Sequence, residues 1–141
     1  GKCFPGSSND HFIVTINQNE ISNRAPIEIA QTLIHEILHA QLGHQMQTSM
    51  TSFTSNFSEY IKEKYGIGYS DQHQLMKDNY LQPMINFLKN YDSLYGLSCN
   101  EKYYRGLALI GLNGAIPLTQ LEINEIYEAQ NYFRNRGLNC Q

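Results

Sequence analysis

Apolar residues recur along this chain with two periods, and the periods place the elements. The run His11-Phe12-Ile13-Val14-Thr15-Ile16 is β-branched and loosely alternating, which predicts a strand closed by the turn-prone Asn17-Gln18-Asn19. Pro26 fits a first helical turn, where its missing N–H loses no intrahelical bond. From there Ile27, Ala30, Ile34, Ile37, Leu38 and Leu42 fall at helical spacing, with Gly43 as the expected stop. Phe53, Phe57, Tyr60, Ile61 and Tyr65 predict a second helix, ended by Gly66 and Gly68. A third begins after Ser70 and carries Met76, Tyr80, Met84, Phe87, Leu88 and Tyr91. Pro83 is expected to kink or split it by removing a hydrogen bond and crowding the preceding turn. A fourth spans roughly Glu101 to Ile110 and ends in Gly111-Leu112-Asn113-Gly114. The last opens on Thr119 and Glu122, at the offset of a capping box, and should stop near Gly137.

Five helices and one clear strand, with no internal repeat and no linker, predict a single α+β domain over 1–141. It should be mostly helical, with a small sheet of which the pattern reveals little. A length of 141 residues is enough to bury a core, and 41% hydrophobic against 16% charged residues fits a globular chain. The net charge of -3 and the scattered Lys and Arg show no basic patch, which argues against a nucleic-acid partner. No apolar run approaches the roughly 20 residues of a membrane-spanning helix, so membrane insertion is not expected. The chain begins Gly1-Lys2-Cys3 without an initiator Met, as a processed product or excised domain would. Cys3, Cys99 and Cys140 form no C-x-x-C pair, so a cysteine-based structural zinc site is not expected. A disulfide from Cys99 to Cys140 would tie down the last helix, worth about 4 kcal/mol by chain entropy. Such a bridge would fit a secreted, periplasmic or cell-surface protein.

The chemistry concentrates in His35-Glu36-Ile37-Leu38-His39. Two histidines four positions apart lie one turn apart on the same helix face. Both imidazoles can then reach one Zn²⁺ at about 2.0–2.1 Å. Glu36 projects beside the metal rather than competing for it. The expected role of Glu36 is a general base that activates a zinc-bound water and passes its proton to a leaving group. A buried core helix with two hydrogen-bonded histidines is the bland alternative, and an H-E-x-x-H match on a long apolar helix makes it the weaker one.

A catalytic zinc site usually has three protein ligands and one open position. His44, Glu59, Glu63, Asp71, His73 and Asp78 are the candidates for the third. His44 points away from the face shared by His35 and His39. Glu59 and Glu63, on the second predicted helix, remain open. His73 is preferred, because Met76 and Tyr80 follow at i+3 and i+7 and put it on the core-facing stripe.

The stretch Thr32-Leu33-Ile34-His35-Glu36-Ile37-Leu38-His39-Ala40 resembles the zinc helix of SprT-like and related zincin metallopeptidases. Asp71-Gln72-His73-Gln74-Leu75-Met76 is similar to the third-ligand helix of zincin-type domains in secreted proteins of Bacteroidota, and Tyr103–Leu112 to another segment of those domains. The resemblance implies a zincin-like fold, zinc held by His35, His39 and His73, and Glu36 as base. His73 follows 34 positions after His39, a longer gap than in SprT proteins, and their four-cysteine ribbon is missing. A metzincin continuation would need glycine where Leu42 stands, which excludes that branch.

The leading expectation is therefore a zinc metallopeptidase acting on a protein or peptide substrate. A non-catalytic zinc-stabilised binding domain is the alternative from another class, and the intact Glu36 argues against it. A secreted toxin or effector hydrolase, with an inhibitor or immunity protein as partner, is a third. Tyr103, Tyr104 and Arg105 are the candidates to stabilise an oxyanion. The strand at 12–16 is a candidate cleft edge for an extended peptide.

Overall fold

A computed structural model describes residues 2–5, 12–48 and 70–138, and these are mostly helical. The predicted strand forms as β2, Phe12–Thr15. It pairs antiparallel with β1, Lys2–Pro5, Lys2 lying opposite Thr15 and Pro5 opposite Phe12. Four residues ending in proline carry little strand signal of their own, so β1 owes its conformation to that pairing. The ribbon rests against the long second helix. Where a turn was expected after Ile16, a single helical turn forms instead, α1 (Gln18–Ile21). The Asn17 side chain caps it by accepting from the Asn19 N–H at 3.1 Å.

The second helix, α2, runs Pro26–Thr48 and passes through Gly43 rather than stopping there. A glycine inside a helix costs only about 1 kcal/mol against alanine, too little to end one by itself. The N-terminus of α2 is held by Glu28, whose carboxylate accepts from the Ala25 N–H at 2.8 Å. The helix expected over Phe53 to Tyr65 lies outside the described residues, and so do Glu59 and Glu63.

A continuous helical run follows: α3 (Ser70–Leu75), a π segment (Met76–Tyr80) and α4 (Leu81–Ser93). Pro83 therefore does not split the helix. Its ring would crowd the carbonyl four residues back, that of Asn79, and Asn79 lies in the widened π turn. Next come α5 (Glu101–Leu109), capped by the Asn100 side chain, and a 3₁₀ turn at Ile110–Leu112. The last helix, α6, spans Gln120–Leu138. Its capping box forms as predicted: Thr119 N–H donates to Glu122 at 2.8 Å and Glu122 N–H to the Thr119 hydroxyl at 3.3 Å.

The core lies between α2, α4, α5 and α6, where Leu38, Met84, Leu88, Leu107, Ile126 and Phe133 are all buried. Helices α5 and α6 approach closely at Gly106, where any β-carbon would collide with the Glu125 carbonyl. An ion pair on the buried Asp92 ties three helices together. Arg136 of α6 grips Asp92 of α4 with two 2.6 Å bonds, and Tyr104 of α5 donates its hydroxyl to the same carboxylate at 2.8 Å. Among the described residues, no helix is long and apolar enough to cross a membrane.

Candidate metal centre

The apolar stripe of α2 that buries Ile27, Leu38 and Leu42 also turns His35 and Glu36 inward, and both are buried. Helix α3 then brings His73 up to the same point. His35, His39 and His73 each offer a ring nitrogen, and the three nitrogens lie within 4.8 Å of one another. The Nε2 atoms of His35 and His39 are 3.1 Å apart. Two ligands at about 2.0–2.1 Å from a tetrahedral zinc would be separated by roughly 3.3 Å, so this pair already has the required spacing. The His73 ring stacks on His35 with centroids 5.6 Å apart and meets His39 edge-on at 5.0 Å.

Gln72 fixes the chemistry of one of these rings. His39 Nδ1 lies 3.0 Å from Gln72 Oε1. A carbonyl oxygen only accepts, so Nδ1 carries the hydrogen and Nε2 presents its lone pair to the cluster. His35 is positioned by a close approach instead. Its ring lies against Gly111, where a β-carbon would sit 2.5 Å from Nδ1 and 2.8 Å from Cε1. Only glycine leaves room for the imidazole there.

The electrostatics suit a cation. Burial, then the neighbouring His39 and His73, push the His35 pKa down to about 3. Burial likewise lowers His39, against the opposing bond to Gln72, and lowers His73, which His39 depresses further. All three rings are therefore neutral near pH 7, the form that binds a metal. Burial raises the Glu36 carboxyl above its ordinary value, which makes it a better proton acceptor near neutral pH. Three imidazoles with no sulfur among them form a donor set that zinc, copper, iron or nickel can take, and one poorly matched to calcium or magnesium.

A cleft of about 740 Å³ reaches the cluster from the side of His35 and Glu36, walled by Gly111 and by Gln130 and Arg134 of α6. Among the described side chains, none of residues 13–16 lines it. Nor do Tyr103, Tyr104 or Arg105, the sequence candidates for oxyanion support. Tyr103 stacks on Tyr132, Tyr104 binds Asp92, and Arg105 pairs with Glu125 and Glu122. Of the other ligand candidates, Asp78 is exposed and hydrogen-bonded to Gln74 at 2.9 Å, outside the histidine cluster. His44 and Asp71 have no described side chains, and Cys140, the expected bridge partner of Cys99, lies outside the described residues; Cys99 is a free thiol here.

Gln72 and Gly111 were missed as site residues. Gln72 could have been found as the polar neighbour of His73. Gly111 gives no sign in the sequence beyond its place after a helix. The chain matches no protein-family model, no curated protein and no solved structure.

Proposed function

We propose that this chain is a zinc-dependent metallopeptidase with a zincin-like fold, holding the metal on His35, His39 and His73 and using Glu36 as general base. The observation that carries the reading is the convergence of three neutral imidazoles on one point, with a buried glutamate on the adjoining helix position. When bound there, zinc would supply Lewis-acid polarisation of a peptide carbonyl and make water more acidic.

The residues divide the remaining work. Gln72 holds the His39 ring in one tautomer, and Gly111 lets the His35 ring seat against the 3₁₀ turn. Glu36, facing the cleft, takes a proton from water at its carboxylate and delivers it to the departing amine.

A second class of function, a zinc-stabilised domain that cleaves nothing, would have no use for a buried carboxylate at position 36. Buried ionisable groups are expensive unless they serve a purpose. The test is Glu36→Gln with zinc restored, assayed on a mixed peptide pool by mass spectrometry. The variant should retain zinc and lose at least about a hundredfold in turnover, the usual contribution of a general base. Unchanged cleavage would remove Glu36 from the mechanism.

A further inference from the structure

The face of α2 that leads up to His35 is buried but polar: Glu28, Gln31 and Thr32 are all under one-tenth exposed. Residues three and four apart share a helix face, so these side chains form one row with His35. Buried polar groups normally find partners. Glu28 accepts from the Ala25 N–H at 2.8 Å and has Arg134 Nε at 3.8 Å. The Thr32 hydroxyl accepts from Arg24 at 2.8 Å. Gln31 differs. Its oxygen is approached by the Thr32 hydroxyl at 3.4 Å, while its Nε2 is buried with no hydrogen-bond partner. Gln31 nevertheless lines the cleft that ends at His35 and Glu36.

A buried amide nitrogen without an acceptor is destabilising, by about 1–3 kcal/mol. The protein tolerates that most readily where a ligand completes the bond. Among the described residues, the same cleft holds two guanidinium groups, Arg24 and Arg134, near Glu28, while its other carboxylate, Glu36, follows His35 further along α2. The orphan donor calls for an acceptor, and the two guanidinium groups beside it favour an anionic one. We propose that this part of the cleft is a subsite for a carboxylate of the substrate, with Gln31 Nε2 as the buried donor and Arg24 and Arg134 as its cationic rim. The inference rests on the peptidase reading and names its substrate class: peptides with an acidic residue close to the cleaved bond. Gln31 lies one helical turn from His35, about 6 Å along the axis. An extended peptide advances about 3.4 Å per residue, so the acidic residue sits within about two positions of that bond.

The test uses the full-length Glu36→Gln variant, which binds without turnover, with and without one equivalent of zinc. The probes are fluorescently labelled, acetylated and amidated oligoalanine hexapeptides. Each carries one glutamate, moved through every position, and a matched set carries glutamine instead. Anisotropy should show at least one glutamate peptide binding about tenfold or more tightly than its glutamine match, as a charge-assisted hydrogen bond implies. Adding Gln31→Leu or Arg134→Gln should bring that ratio towards one. Arg134 is largely exposed, so Arg134→Gln, which puts no second carboxylate beside Glu28, tests the rim even if Gln31→Leu disturbs the fold. Equal binding of the two sets, or a glutamate preference that survives Arg134→Gln unchanged, overturns the subsite. Acid-selective binding by a protein that cleaves nothing would keep the subsite and sink the peptidase reading. Cleavage by the native protein without acid preference would do the reverse.

Discussion

His39 Nδ1 and Gln72 Oε1 are 3.0 Å apart, joining the second histidine of α2 to the residue just before His73 on α3. This bond couples two histidines carried by separate helices, because holding Gln72 in place also holds the start of α3. Gln72→Leu should keep the fold, since a buried amide is replaced by an apolar group of similar size. Zinc affinity should fall by about 10- to 100-fold, the usual loss when a ligand's hydrogen-bond partner is removed. Competition against a chromophoric chelator measures it, and an unaltered affinity would show that His39 needs no such support.

Gly111 makes a sterically sharp prediction. A β-carbon there would lie 2.5 Å from His35 Nδ1, well inside contact distance, so the ring or the 3₁₀ turn must shift. Gly111→Ala should weaken zinc binding by about the same 10- to 100-fold while leaving helical circular dichroism unchanged. Gly96, by contrast, has open space around its β-position and a φ of 68°, so Gly96→Ala should strain a turn and leave the metal untouched.

The three imidazoles also set a pH dependence for the metal-free protein. His35 falls from an ordinary pKa of 6.5 to about 3 on folding, and His39 and His73 fall too. Below the unfolded value the unfolded chain binds protons that the folded chain refuses. Stability is thus at its full value above pH 6.5 and is lost as the pH drops from there towards the folded values. Thermal unfolding should show a lower Tm at pH 5 than at pH 7.5, and His35→Gln should flatten that slope. A Tm that rises on acidification would contradict the burial of neutral rings.

Asp92 and Arg136 tie α4 to α6 without touching the histidine cluster. Asp92 is 1% exposed and accepts from both Arg136 and Tyr104. Asp92→Ala leaves a half-buried guanidinium and the Tyr104 hydroxyl without their acceptor and should lower stability by about 1–3 kcal/mol, read as a shifted urea midpoint. Zinc affinity measured under folding conditions should stay the same.

Much of the histidine cluster was legible in the sequence because its strongest part is local. His35 and His39 meet through helix geometry alone, and Glu36 comes with them. The pairing with His73 depends on where α3 packs, and the sequence supplied only the apolar spacing of Met76 and Tyr80 as a pointer. The start of α2 at Pro26 was readable, whereas its run past Gly43 was not, since a single glycine is a weak stop. The π turn at Met76–Tyr80 escaped because no residue pattern marks it, and Pro83 looked like a break only in a regular helix. The polar row Glu28, Gln31 and Thr32 reads as a wet face in the sequence. It is buried because α6 covers it, with Gln130 and Arg134 forming the opposite wall.

The account stands most directly on the metal. Purified protein loaded with excess zinc, desalted and measured by elemental analysis should hold one zinc per chain, with zinc-edge X-ray absorption showing three imidazole nitrogens at about 2.0–2.1 Å. His35→Ala, His39→Ala and His73→Ala should each lose that zinc. A protein that retains no zinc, or that retains it fully in His73→Ala, would contradict the centre described here.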